Sequence, residues 1–325
     1  MLLFVYTVPV RRFLQDGSCR TVSIKCFPKG GTSIDISDSS PDTQKQGYLE
    51  GDFHLFHIKD RLQRTYNFHY HDFLKILVHL EGNVIYTIEG RSYSLCPGDI
   101  VLVDRGQIHR PQVDFASPYE RLVLYLSPDF LERYGEHGAS LDSCFSTAAY
   151  RHSNVLRLKE DIRHPMLSLL RRLERAQNWQ EEEFAGPLYC RLLCLEFLVE
   201  LGRASMDANA QYIPTGTLNY HVSGLISYIN GHLDQDLSIQ TLSAGCCLSP
   251  YHMMRMFKEE TGYTIGNYIT EKRLLRARDL LAQGKSATES CFLSGFRNYS
   301  TFLRAYKQHY KELHKHSGRL KNSKN

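Results

Sequence analysis

The stretch Ser238-Ile-Gln-Thr-Leu-Ser-Ala-Gly-Cys-Cys-Leu-Ser-Pro-Tyr-His-Met-Met-Arg-Met-Phe-Lys-Glu-Glu-Thr-Gly262 carries the reading of the fold. Ser238 opens a helix from Ile239 that is expected to stop at Gly245, with Cys246-Cys247-Leu248 as a short turn. Ser249-Pro250 opens a second helix, because a serine hydroxyl caps free amides and proline fits the first helical position. Gly262 closes it. Leu242, Leu248, Met253, Met256 and Phe257 fall where two helices crossing over a tight turn need apolar contacts. Tyr251, His252, Arg255 and Lys258 are left pointing outward. The pattern is a helix-turn-helix over 239–260 whose second helix offers polar and cationic groups from its first turns, as major-groove readers do. A single unit of this kind is also what an ordinary helical hairpin looks like.

A second unit, 286–307, weighs against the ordinary hairpin. Ser286-Ala-Thr-Glu289 is a capping box opening a helix to Ser294. Gly295 makes the turn, Phe296 is expected to be buried, and Asn298 caps a helix from Tyr299 to Lys307. Arg297, Asn298, Tyr299, Ser300, Arg304 and Lys307 are its candidate DNA-facing residues. Between the units, Ile269 to Ala282 is amphipathic, carries Arg273, Arg276 and Arg278, and reads as a rigid connector. From Asn219 onward fifteen Lys/Arg stand against eight Asp/Glu, net +7, whereas residues 1–218 are net −3. A basic last third on a mildly acidic body points to a polyanionic partner.

The segment from about Tyr220 to Lys307 resembles the DNA-binding region of the AraC/XylS transcription regulators. The matching residues are Leu237-Ser-Ile with Leu242, Leu248-Ser-Pro, Phe257-Lys-Glu-Glu-Thr-Gly262, Tyr268-Ile-Thr-Glu-Lys-Arg273 with Ala277, Leu280 and Leu281, and Gly295-Phe296 with Phe302 and Arg304-Ala-Tyr-Lys307. It departs from the family at Ser290, usually apolar, and at Tyr310, Leu313, His316 and Ser317, where Gly, Pro, an aromatic and Arg usually stand. The resemblance implies that 218–325 is an all-α domain binding double-stranded promoter DNA, with RNA polymerase as a further partner.

Upstream, from about Asp52 to Leu126, short apolar and β-branched runs recur about every ten residues between turns at Glu89-Gly90, Pro97-Gly98-Asp99 and Arg105-Gly106. That spacing indicates a sandwich or barrel of strands. His69-Tyr-His71 and Pro97-Gly98-Asp99 through His109 resemble the cupin-like sensor domain that accompanies such DNA-binding regions. In metal-dependent cupins, two histidines two apart, a glutamate four residues later and a distant histidine hold a divalent metal. Here the glutamate position is Lys75, whose ammonium has no lone pair for a metal, so no metal and no cofactor are expected. His69, His71, Lys75, Tyr86 and His109 become candidate ligand-binding residues for a small-molecule effector such as a sugar. The alternative is that they are hydrogen-bonded residues of the barrel rim. Strand alternation sets Phe73, Lys75 and Leu77 on one face and Leu74, Ile76 and Val78 on the other without deciding which faces in.

Helical periodicity follows Ser127-Pro128, over Ile162–Trp179 and Phe184–Leu201, and Ser205 to Thr217 reads as a linker. The fold class is α+β. Residues 1–48 are an N-terminal extension with a loop-like Gly30–Pro41 stretch. A cupin-like β-barrel, 49–130, senses the effector; a helical region and linker, 131–217, dimerises; 218–325 binds DNA. Leu188, Leu192, Leu195, Leu198, Val199 and Leu201 make the expected homodimer surface; the alternative is that part of it packs on the barrel.

With 325 residues, 42% hydrophobic and 23% charged, about two globular domains are expected. No apolar run is long enough for a membrane helix, and Met1–Val10 carries Arg11-Arg12 after its apolar run, the reverse of a secretory signal. Nine scattered cysteines form no disulfide framework. A cytoplasmic chain is expected. The leading function is a sequence-specific transcription regulator with no catalytic residues; the alternative is a metal-dependent cupin enzyme with a helical appendage.

Overall fold

The computed structural model describes residues 6–13, 19–26, 49, 51–60, 66–114, 117–135, 139–178, 184–215 and 217–310. Leu313, His316, Ser317 and the Gly30–Pro41 stretch lie outside them. Strands β1 (Tyr6–Phe13) and β2 (Cys19–Cys26) pair antiparallel as a separate hairpin inside the N-terminal extension. The sequence reading had no strands there.

The N-terminal β domain is built from two antiparallel sheets. Its strands are β3 (Phe53–Asp60), β4 (Leu74–Glu81), β5 (Asn83–Ile88), β6 (Arg91–Ser94), β7 (Ile100–Val103), β8 (His109–Asp114), β9 (Tyr119–Leu126), β10 (Val155–Arg157), β11 (Gln211–Tyr212) and β12 (Thr217–Leu218). One sheet runs β11-β10-β7-β4-β9-β3 and the other β12-β6-β5-β8. The region read as helices and linker, 131–217, thus contributes β10 and β11 to one sheet and Thr217 to the other.

The alternation of β4 shows how the layers are made. Leu74, Ile76 and Val78 pack with Leu124, Leu102 and the helices, in a core that includes Phe130, Leu170, Leu173, Phe197 and Leu201. The helices are α1 (Pro128–Tyr134), α2 (Ser143–Tyr150), α3 (Glu160–Gln177) and α4 (Gly186–Met206). Leu77 faces the other way, into a core with Tyr86, Tyr93, Val101 and Val123 between the sheets. A period of two therefore turns Lys75 inward as well, which decides the orientation that pattern alone left open.

The C-terminal domain comprises α5 (Tyr220–Gly231), α6 (Ile239–Cys246), α7 (Pro250–Thr261), α8 (Ile265–Ala282), α9 (Ala287–Leu293) and α10 (Tyr299–Tyr310). The caps at Ser238, Ser249 and Asn298 fall where the sequence put them, and Thr264 adds one that it did not. Ser238, Ser249, Thr264 and Asn298 side chains accept backbone N–H bonds from the first turns of α6, α7, α8 and α10, each worth about 1 kcal/mol. Ser286 and Glu289 complete the capping box of α9. One boundary differs: α6 runs through Gly245 to Cys246, and Cys247 supplies the left-handed C-cap at φ 54°. The connector also starts earlier than its apolar pattern, because Thr264 caps it. Among the described residues no helix is long and apolar enough to cross a membrane, and Cys96, Cys144, Cys190, Cys194, Cys246, Cys247 and Cys291 are free thiols.

Candidate functional site

Two sites emerge, one on the surface of the C-terminal domain and one inside the barrel. On α7, Met253 and Phe257 are buried in the core shared by α5, α6 and α8, with Leu248 and Met256 partly so. Rotation by 100° per residue then leaves Tyr251, His252, Arg255 and Lys258 exposed on the opposite face. Arg255 has only a loose contact with Glu259 at 3.7 Å. On α10, Phe302 and Tyr306 anchor the helix beside Leu274, Ala277, Cys291 and Phe296. Arg297, Asn298, Tyr299, Ser300, Arg304 and Lys307 are all exposed. Asn298 is committed to capping, and Arg297 donates to Asp236 at 2.8 Å. Ser290, noted as a departure, is fully buried at the α9 position where an apolar residue is usual.

The two units are locked together. Arg273 Nε donates to the Leu233 carbonyl at 2.8 Å, and its second nitrogen reaches Gln235 O at 2.9 Å. The turn of the second unit lies on the same carbonyl. A Cβ on Gly295 (φ +97°) would stand 1.8 Å from Leu233 O. No side chain fits, so the turn requires glycine for space as well as for conformation.

Inside the barrel, His69 and His71 come from the segment leading into β4, Lys75 from β4, Tyr86 from β5 and His109 from the start of β8. All five are buried. His69 and His109 exchange two backbone hydrogen bonds, at 3.1 and 2.9 Å. Their Nδ1 atoms donate to the carbonyls of Asn67 and Gln107, both at 2.9 Å. Each Nε2 is therefore left as a lone-pair acceptor turned away from its own loop. Lys75 Nζ donates to Tyr86 Oη at 3.1 Å and to His109 Nε2 at 3.2 Å. Burial pushes the Lys75 amine down to about 7, with the Arg121 charge adding to the effect. Burial and then Lys75 hold His69 down at about 4, and His109 falls well below its usual range for the same two reasons. Burial raises the Tyr86 hydroxyl. Burial thus favours the neutral forms of His69 and His109 and of the amine between them and Tyr86. The five residues proposed from sequence are brought together, and each already has a protein partner.

A metal does not fit this donor set. His69, His71 and His109 offer ligand atoms all within 4.8 Å of one another, and no carboxylate joins the group. Lys75 spends a proton on the Nε2 lone pair of His109 that a cation would need.

An AraC-like ligand-binding domain matches residues 53–197 and a helix-turn-helix domain matches 242–315. The chain is an AraC-family transcriptional regulator. Along its length it is similar to the HTH-type transcriptional activator RhaS of Escherichia coli, with 23% identity covering 89% of this chain and 92% of the relative. The RhaS protein of Shigella dysenteriae matches with the same identity and coverage. Among solved structures, fatty-acid-bound ToxT of Vibrio cholerae aligns at 13% identity and TM-score 0.35, covering 81% of this chain and 93% of that one.

In this AraC-family chain the mouth of the barrel sits on α8, the helix joining the two units. This contact was missed by reading the sequence. Tyr70 donates to Glu271. Asp72 accepts from Arg278 at 2.9 Å. Arg105 forms a two-pronged pair with Asp279 at 2.8 and 2.9 Å. Glu89 accepts from Tyr268 and Lys272, each at 3.0 Å. Positions 268, 271, 272, 275, 278 and 279 form one stripe of the helix, and Gly106 lies so close that a Cβ would meet Leu275 at 2.2 Å. Glu271 also receives His309 of α10 at 2.7 Å, so one carboxylate joins barrel, connector and second unit.

Proposed function

We propose that this regulator reads promoter DNA with α7 and α10 and that a small polar effector, of the sugar or related metabolite class, acts through the interior of the barrel. The observation that carries the reading is the alternation along residues 69–72. His69 and His71 project into the barrel, while Tyr70 and Asp72 hold α8. A ligand that shifts the inner pair moves the outer pair with it, because neighbours on an extended segment share one backbone. The element moved is the connector that spaces the two recognition helices. Two helices on one connector can enter successive major-groove segments on one DNA face if they stand about 34 Å apart. Tyr251, His252, Arg255, Lys258, Arg297, Asn298, Tyr299, Ser300, Arg304 and Lys307 form the proposed DNA face. His69, His71, Lys75, Tyr86 and His109 form the proposed effector site.

Acting in the cytoplasm as a homodimer through α4, such a protein also meets RNA polymerase at its promoter. A gel shift on the intergenic DNA next to its own gene, with and without candidate sugars, tests the reading. A salt-sensitive complex whose affinity changes with one sugar is expected. Retardation of random DNA with equal affinity overturns the sequence-specific reading, and a sugar-independent affinity overturns the effector class.

A further inference from the structure

The histidine trio has most of what a first-row metal needs. Three imidazoles lie within 4.8 Å of one another. In two of them Nδ1–H is spent on a backbone carbonyl, the outer bond that orients metal-binding histidines and leaves Nε2 free to ligate. All three histidines are buried. What stands in the way is one atom, Lys75 Nζ, 3.2 Å from His109 Nε2 and tied to Tyr86 Oη at 3.1 Å.

We propose that Lys75 alone keeps this site free of metal: its side chain fills the coordination position, and its N–H occupies the histidine lone pair that a cation would use. The geometry makes the effect specific to this one position. A glutamate on the same strand register is one bond shorter. Its oxygen would stand on the order of 1 Å farther from His109 and would offer a lone pair where lysine presents an N–H. It would also bring the negative charge that three neutral imidazoles lack. Lys75 thus commits a histidine trio with metal-like spacing to hydrogen bonds within the protein. This holds whether or not a sugar is the effector, since it concerns only which cations the trio refuses.

The test is metal content of the full-length protein after chelation and equilibrium dialysis against Co(II) or Ni(II), each protein being compared with its own His109→Ala counterpart. The comparison removes binding at surface histidines and cysteines. Wild type is expected to hold the same metal with and without His109. Lys75→Glu is expected to hold about one further equivalent that His109→Ala abolishes, with a cobalt visible spectrum of a histidine-bound site. Lys75→Gln, which removes the ammonium and has the length of glutamate without its charge, is expected to gain metal more weakly and serves if Lys75→Glu does not fold. A wild-type equivalent lost on His109→Ala overturns the proposal. So does a folded Lys75→Glu or Lys75→Gln protein that holds no more metal than wild type, since some other feature would then exclude the cation.

Discussion

Arg278 on α8 donates to both the carboxylate and the backbone carbonyl of Asp72, at 2.9 and 3.1 Å. Asp72 follows His71, whose ring lies 4.9 Å from that of His109 inside the barrel. The connector helix therefore grips the main chain of the segment that lines the proposed effector site. Arg278→Met should remove this grip and leave a half-buried carboxylate with less compensation, at a cost of about 1–3 kcal/mol. Calorimetry is expected to show the sensor and DNA-binding domains melting further apart. A reporter is expected to lose effector response while operator binding persists. A single unchanged transition with an intact response would refute the coupling.

The exposed face of α7 makes a sharper prediction about DNA. Arg255 stands in the first turns of the recognition helix, where side chains reach base edges, whereas Lys307 lies near the end of α10. Arg255→Ala should relax preference at one or two base pairs, at roughly 1–3 kcal/mol per lost contact. Lys307→Ala should weaken all sequences alike and flatten the salt slope by about one unit. Quantitative gel shifts on cognate and random DNA check both, and equal losses for Arg255→Ala on the two DNAs would contradict base reading.

Gly295 carries the contact that sets one helix-turn-helix unit against the other. With φ at +97° and the Leu233 carbonyl where a methyl would sit, Gly295→Ala combines backbone strain with a clash against main chain. A loss of more than about 3 kcal/mol in denaturant unfolding is expected. DNA binding should fall with it, since the spacing of α7 and α10 depends on that turn.

The apolar face of α4 left for the proposed dimer is narrower than the sequence pattern suggested. Leu198 and Leu201 are buried in the sensor core and Leu195 packs partly against it, leaving Leu188, Leu192 and Val199 exposed together with Phe184. Spacings of four and seven put Leu188, Leu192 and Val199 on one stripe. Leu192→Glu should weaken the dimer at least about tenfold, or 1.4 kcal/mol, in sedimentation equilibrium, without lowering the melting temperature of the monomer. An unaffected dimer would place the interface elsewhere.

The Lys75 amine gives a pH signature. Its folded value of about 7 lies below the usual lysine value of 10.5, so between these two pH values the unfolded chain binds more protons than the folded one. Stability contributed by this position therefore rises with pH across that window. Below it the cost of the buried cation is fully present. Comparing Lys75→Met with wild type in urea titrations from pH 7 to pH 10 should show the variant lacking an upward slope of up to about 1 kcal/mol per pH unit. Parallel curves would mean that Lys75 is charged to the same extent in both states.

Much of the C-terminal domain was legible without coordinates. Ser238, Ser249, Ser286 and Asn298 act on amides within three residues, and the apolar spacing of α7 and α10 has one solution on a helix. Local chemistry settles such features, so a linear reading finds them, as it found the short strands and the paired His69 and His71. Gly245 misled because a glycine tolerated inside a helix looks the same in sequence as one that ends it; the left-handed turn fell on Cys247 instead. What only the tertiary structure decided involves partners far apart in the chain. The inward turn of Lys75 follows from which face of β4 the helices cover, and two apolar faces compete equally on paper. The contacts of Tyr70, Asp72, Arg105 and Glu89 with α8 join residues 174 to 206 positions apart. The sequence specifies the charges on both sides, but a charge carries no mark of its partner. Only the packing of the barrel mouth against the connector brings them within hydrogen-bonding reach.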